Sequence, residues 1–279
     1  MKKTILRINN LSIFPKINPD LKLVKNISFD LPEGKTTCIV GESGSGKSLT
    51  ALSIIKLLSS QLDLTGDIFF KNKNLSTITN NEMRSMRGKE ISMIFQEPMT
   101  SLNPVLTIGF QIEESILVHN KLSKNQSRKR TEDLLELVGI DPDRYNSFPD
   151  ELSGGQRQRV MIAMAMSCDP SLLIADEPTT ALDVTVQAQV FKLLNTLKQK
   201  KQMTMLFITH DFGVVNDIAD EVIVMFKGNI VEQGSVGKVL KNPKHPYTKA
   251  LMRCVPDIHG RKKIQPIDYR KLEKEMASL

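Results

Sequence analysis

The chain has 279 residues, 40% of them hydrophobic, enough to bury a sizeable core in one large domain or one domain with an attached lobe. No apolar run approaches the roughly 20 residues of a membrane span, and Arg7, Asn9 and Asn10 interrupt any secretion signal behind Met1-Lys2-Lys3, so a soluble, cytoplasmic chain is expected. The formal charge of +7 suits a polyanionic partner or an acidic lipid surface, while basic residues dispersed apart from local clusters at Lys198-Gln199-Lys200-Lys201 and Arg261-Lys262-Lys263, no Trp and three Tyr argue against a nucleic-acid platform.

In chain order, residues 5–8, 23–31 and 37–40 read as strands, separated by the polar loop 15–21 and the turn Pro32-Glu33-Gly34. Behind Gly46 the apolar residues Leu49, Leu52, Ile55 and Leu58 recur at helical spacing. Residues 66–70 and 91–95 are further strands. The texture then turns helical: residues 108–118, 126–138 and 154–166 form three helices, broken at Asp141-Pro142 and Phe148-Pro149. We place a helical subdomain at 97–169, inserted in a main domain of residues 1–256. After it, strand and helix alternate again: 172–175, 186–198, 205–209, 212–218, 221–226 and 228–233. Such alternation implies a mostly parallel sheet covered by helices. In the tail 257–279, Tyr269, Leu272, Met276 and Leu279 outline a short amphipathic helix behind an Asp268 cap. Cys38, Cys168 and Cys254 are widely spaced and form no CxxC or Cys/His cluster, so neither a disulfide framework nor zinc is expected.

The chemistry begins at Gly41-Glu42-Ser43-Gly44-Ser45-Gly46-Lys47-Ser48, a complete GxxxxGK[ST] loop that follows a strand and opens a helix at Leu49. Glycines without Cβ atoms let backbone N–H groups wrap phosphates, and the helix adds roughly half a positive charge at the same end. Lys47 supplies a full charge and Ser48 offers a hydroxyl to Mg²⁺, so ATP with Mg²⁺ is the expected ligand. Asp176 and Glu177 end the apolar run 172–175: Asp176 suits Mg²⁺, and Glu177 suits the orientation and partial deprotonation of an attacking water. His210 closes the strand 205–209, where it would meet the γ-phosphate; His119, His245 and His259 read as surface or loop residues. Gln96 ends the strand before the helical stretch, and its amide could ligate Mg²⁺ or touch the water.

The run Leu152-Ser153-Gly154-Gly155-Gln156 opens another helix and makes a second anion site, carried away from the first by the helical lobe. The economical arrangement is a head-to-tail dimer in which each ATP is gripped by one chain's phosphate loop and the other's Ser-Gly-Gly turn. Asp183, in Thr180-Ala181-Leu182-Asp183, is placed to bridge the two sites. Charge-assisted hydrogen bonds of about 1.5–3 kcal/mol each would make closure of that dimer depend on ATP.

With these motifs in order from Ile5 to about Pro256, the chain resembles the ATP-binding subunits of ABC transporters, which implies an α/β P-loop NTPase core with a mostly parallel sheet, an N-terminal antiparallel β subdomain and an inserted α-helical subdomain. Glu97-Pro98-Met99-Thr100-Ser101-Leu102-Asn103-Pro104, the run Ala175 to Asp183, and His245-Pro246-Tyr247-Thr248-Lys249-Ala250-Leu251 are similar to the peptide/nickel importer branch. The resemblance implies ATP hydrolysis that energises uptake of di- or oligopeptides, with nickel or metal chelates as the alternative and a nucleic-acid ATPase as a remote one. It further implies two permease subunits and an extracytoplasmic substrate-binding protein. A second homologous ATP-binding subunit, or a second copy of this chain, would complete a complex at the cytoplasmic face of the membrane. Members of the family stack an early aromatic residue on adenine, for which Phe14 is the candidate here. The cysteine-bearing tail that some members carry has only Cys254 as a counterpart, so no iron–sulfur cluster is expected.

Overall fold

The computed structural model describes residues 3–96, 101–179 and 182–254, together with 268, 269, 272, 275 and 276. By contact the chain parts into two compact units, Met1–Ser76 with Leu206–Leu279, and Thr77–Met205.

The first unit opens with β1 (Thr4–Pro15), β2 (Val24–Pro32), β3 (Thr36–Val40), α1 (Lys47–Ile54), β4 (Leu62–Phe70) and the short β5 (Lys73–Asn74). Four of these strands form an antiparallel sheet in the order β2-β1-β4-β5. Its strands alternate buried and exposed residues, as a sheet with one covered face requires. β1 runs well past the expected end at Ile8. The register slips between Ile8 and Leu11 and again before Ile13, and Asn10 sits at φ 50°. These bulges break the two-residue alternation, so the pattern read from sequence stops where the strand does not. Side-chain hydroxyls take up the displaced backbone donors: Asn10 N–H donates to Ser28 Oγ at 2.8 Å and Asn26 N–H to Ser12 Oγ at 2.9 Å. β4 is likewise longer than expected, because Leu62 and Leu64 pair with Pro15 and Ile13 of the extended β1.

The second unit begins with α2 (Asn80–Met86), which the hydrophobic pattern did not suggest. A capping box starts it: Thr79 Oγ1 accepts from Glu82 N–H at 3.2 Å, and the Glu82 carboxylate accepts from Thr79 N–H at 2.9 Å. Next come β6 (Ile91–Ile94), α3 (Ile108–His119), α4 (Lys124–Leu137), α5 (Gly154–Met166), β7 (Leu172–Asp176), α6 (Val184–Lys201) and the start of β8 (Thr204–Thr209). Short 3₁₀ turns stand at the two proline breaks, Pro142–Asn146 and Pro149–Glu151. Buried Ile108, Ile112 and Ile116 line one face of α3. Beside them the buried Glu113 carboxylate accepts hydrogen bonds from the Ser127 and Tyr145 hydroxyls, and the Arg128 guanidinium lies 3.5 Å from the Tyr145 ring centroid. A Cβ at Gly109 would fall 2.3 Å from that ring, so glycine is what lets Tyr145 reach Glu113. The unit takes in the 97–169 stretch together with β6, β7 and α6.

The first unit resumes with the rest of β8, then α7 (Phe212–Ile218), β9 (Glu221–Phe226), β10 (Asn229–Ser235), α8 (Val236–Lys241) and α9 (Pro246–Cys254); the last two helices were not anticipated. β3 pairs parallel with β9, and β9 antiparallel with β10; in the second unit β6 pairs parallel with β7. β3, β7 and β8 are buried at every position, the mark of strands covered on both faces. The α/β class with an N-terminal antiparallel sheet is therefore as the sequence indicated. Among the tail residues, Tyr269, Leu272 and Met276 are helical, Leu272 is buried, and its N–H bonds to Asp268 O at 2.9 Å. Leu279, His259, Pro256, the Arg261-Lys262-Lys263 cluster, Glu97 to Thr100 and Thr180-Ala181 lie outside the described residues. Among the described residues no helix is long and apolar enough to cross a membrane.

Candidate active site

The glycine-rich loop joins β3 to α1 inside the first unit. Gly46 caps α1 at φ 101°, and a Cβ there would stand 2.9 Å from Val24 Cγ2. A Cβ at Gly41 would strike Met225 O at 2.2 Å. Both glycines are thus demanded by neighbouring strands, independently of any ligand. Ser45, Gly46 and Lys47 are buried, while Ser43 and Gly44 are exposed at the loop's tip. Lys47 folds back over the loop, its Nζ donating to Gly41 O at 2.7 Å and Glu42 O at 2.8 Å. The loop is held from below by Gly228 N–H, which donates to Ser45 O at 3.2 Å. The buried Ser45 hydroxyl has no hydrogen-bond partner among the described residues. A cradle too tight for side chains, an orphaned hydroxyl and a helix start fit a phosphate group. Ser48 and Leu49, half-buried, open the helix. Phe14 is half-buried in β1, opposite Asp63 of β4. His210 is exposed directly after β8, and Asp211 behind it caps α7 by accepting from Gly213 N–H at 2.8 Å.

The second unit holds a different cluster. β6 and β7 run parallel with Ile94 opposite Ala175, so both carboxyl ends reach one edge. There Asp176, 4% exposed, ends β7, and Glu177 follows at φ 45°. Gln96 Nε2 donates to Glu177 Oε2 at 3.1 Å, so the structure brings together two of the three expected catalytic residues. A left-handed glutamate is costly, by about 1–2 kcal/mol, and strain of this kind collects at functional positions. At this edge Asp176 and Gln96 offer a carboxylate and an amide oxygen, hard donors of the kind Mg²⁺ takes.

The Leu152–Gln156 run also lies in the second unit. Ser153 caps α5 in a capping box with Gln156: Ser153 Oγ accepts from Gln156 N–H at 3.3 Å, and Gln156 Oε1 accepts from Ser153 N–H at 3.0 Å. The Gln156 carbonyl oxygen therefore builds the helix start, leaving Ser153 and Gly154 exposed at its tip. A Cβ at Gly155 would lie 2.6 Å from Val186 Cγ1, so the start of α5 sits directly against the start of α6. Asp183 caps α6, its Oδ1 accepting from Val186 N–H at 2.9 Å. The bridging aspartate thus has a structural task in its own chain, and it is exposed on the flank of the Ser-Gly-Gly turn.

Sequence reading missed Tyr247. It is fully buried in α9, and its hydroxyl accepts from Glu42 N–H of the phosphate loop at 3.2 Å. The His-Pro-Tyr run was visible, but its target was not. Cys38 is buried, and Cys168 and Cys254 are half-buried.

A family model described as ABC transporter matches residues 24–180, and one described as the C-terminal region of oligopeptide/dipeptide transporters matches residues 231–277. The oligopeptide transport ATP-binding protein OppD of Bacillus subtilis (strain 168) is 49% identical over 261 residues, 92% of this chain and 73% of the relative. The dipeptide transport ATP-binding protein DppD of the same organism is 48% identical over 271 residues, 95% of this chain and 81% of the relative. Among solved structures, the dimeric ATP-binding cassette MJ0796, in a post-hydrolysis state bound to ADP and Pi, matches with a TM-score of 0.74 at 27% identity, covering 83% of this chain and 98% of that one.

Proposed function

The chain belongs to the ABC transporter family, and we propose that it is the ATP-hydrolysing subunit of a membrane complex that imports di- or oligopeptides. The match of residues 231–277 to the oligopeptide/dipeptide C-terminal region carries the choice of cargo class. The peptide names of the relatives favour that reading over nickel or metal chelates, and over a nucleic-acid ATPase.

In this reading the loop from Gly41 to Ser48 binds the triphosphate, Lys47 adding a donor to the phosphate oxygens while anchored on Gly41 O, and Phe14 supports adenine. Mg²⁺ entering with the nucleotide would be held by Ser48, Asp176 and Gln96, and would neutralise charge on the phosphates. Glu177 orients the attacking water and takes up its proton as the bond to the γ-phosphoryl forms and the bond to ADP breaks. Gln96, bonded to the Glu177 carboxylate, fixes that carboxylate's orientation and registers its state. His210 bonds the γ-phosphate.

The Ser153-Gly154-Gly155 turn, exposed at Ser153 and Gly154, engages the nucleotide of a second ATP-binding subunit, which is either a homologue or a second copy of this chain, with Asp183 beside it. Two permeases and an extracytoplasmic binding protein complete the complex, and the chain is peripheral at the cytoplasmic face of the membrane.

Glu177→Gln tests the assignment. Turnover by the assembled complex should fall by about a hundred- to ten-thousandfold while ATP still binds and holds the two subunits together. Unchanged turnover would remove Glu177 from its role. Competition uptake of labelled peptide against unlabelled peptides and Ni²⁺ in a deletion strain then decides the cargo.

A further inference from the structure

Two described residues of the C-terminal stretch, Tyr247 and Tyr269, engage Glu42 of the phosphate loop. Tyr247 stacks its ring 4.2 Å from that of Phe226, centroid to centroid, and its hydroxyl oxygen accepts the Glu42 N–H at 3.2 Å. Tyr269 donates its own hydroxyl to Glu42 Oε1. The remaining polar group of Glu42, its carbonyl, receives Lys47 Nζ at 2.8 Å. Burial pushes the Tyr247 phenol well above its ordinary value, and burial with the bond to Glu42 pushes Tyr269 up to about 12, so both stay neutral at physiological pH.

The peptide plane between Gly41 and Glu42 is the object being held. Its N–H is fixed by Tyr247 and its carbonyl, Gly41 O, by Lys47 Nζ at 2.7 Å. A planar peptide held at both ends cannot turn about its neighbouring bonds without releasing one of them. A change at the Tyr247 hydroxyl is therefore passed to the Lys47 ammonium through a single rigid unit. The ring that carries the hydroxyl has no exposure to solvent.

We propose that Tyr247 is a positioning residue for the phosphate loop: its hydroxyl holds the Gly41–Glu42 peptide, and through it Lys47, in the orientation that receives the nucleotide, so the seating of α9 sets the affinity for ATP. This rests on the reading of the loop as a nucleotide site, and it gives the His-Pro-Tyr run a task inside its own chain.

The test is Tyr247→Phe in the assembled transporter, which keeps the ring and removes only the acceptor. The KM for ATP should rise about three- to tenfold, as loss of one such hydrogen bond implies, with kcat at saturating ATP held within about twofold of the parent. A purely structural role would instead lower the melting temperature and the active fraction, leaving KM where it was; that outcome overturns the proposal. Should the variant fail to assemble, ATP binding by the full chain alone serves: its Kd should rise about three- to tenfold in Tyr247→Phe, and an unaltered Kd again overturns the proposal. Lys47→Ala separates the two levels. If it binds ATP as tightly as the parent, the nucleotide site itself is misassigned; if it loses ATP while Tyr247→Phe does not, only the positioning role fails.

Discussion

The helix start at Gly46-Lys47 is walled in, with Val24, Leu23 and Met225 all within 3.3 Å of the place a Cβ would occupy, and with Lys47 folded over the loop. The helix start at Ser153-Gly154 is open: both residues are exposed, and among the described residues a Cβ at Gly154 would meet nothing nearer than Leu182 Cδ2 at 3.8 Å. Each presents backbone N–H groups at the positive end of a helix. The first is shaped by its own unit and is ready for a phosphate before one arrives. The second has a glycine that its own unit does not require, which is what a surface completed by another molecule looks like.

The largest expected effect comes from obstructing the open turn. Ser153→Arg should leave ATP binding to the full chain unchanged and lower hydrolysis by the assembled complex by roughly a hundredfold or more, in the range of removing a donor set from a transition state. Equal loss of binding would erase the contrast between the two sites.

A methyl group added to each start should separate them next. Gly46→Ala must fit a side chain at φ 101° and should cost roughly 1–3 kcal/mol of stability as well as nucleotide binding. Gly154→Ala should melt within about 0.5 kcal/mol of the parent and show its defect only in hydrolysis by the complex. Thermal melts with and without ATP, alongside turnover, check both.

The smallest effect concerns the frame around α5. Asp169 accepts from Arg130 of α4 at 2.5 Å and from Lys201 of α6 at 2.8 Å. Burial works to raise its carboxyl, but Lys201 and Arg130 outweigh it and hold the group below its ordinary value. A depressed carboxyl stabilises the fold above its unfolded value and loses that contribution as pH falls through the folded one. Asp169→Asn, which suits the left-handed backbone at φ 51°, should cost about 0.2–1 kcal/mol at neutral pH, and the gap from the parent should close in acid below about pH 4. A gap that persisted there would mean that packing, not charge, is lost.

What could be read from sequence was local. The phosphate loop and the strand before it fall within thirteen consecutive residues, and the 3.6-residue period survives intact in α3 and α5. The Ser153–Gln156 spacing held the capping box in plain view. By contrast, β1 was cut short because Asn10 interrupts the alternation at a bulge. The lysines from Lys198 to Lys201 looked like a charge cluster, yet they fill the last turn of α6, where a helix favours cations. Tyr247 and Glu42 stand 205 positions apart, and no pattern along the chain announces a bond between a phenol and a backbone N–H. α8 has six residues, too few to show a period, whereas α9 is amphipathic and its pattern was passed over because attention rested on the His-Pro-Tyr run.

The close approach of Gly155 to Val186 has a mechanical reading. Val186 is also the residue whose N–H Asp183 binds, so the two helix starts mesh like teeth, with no slack for a methyl group between them. A push felt at Ser153 would be transmitted at once to the aspartate of the adjoining helix, by steric gearing rather than through any relay of charges.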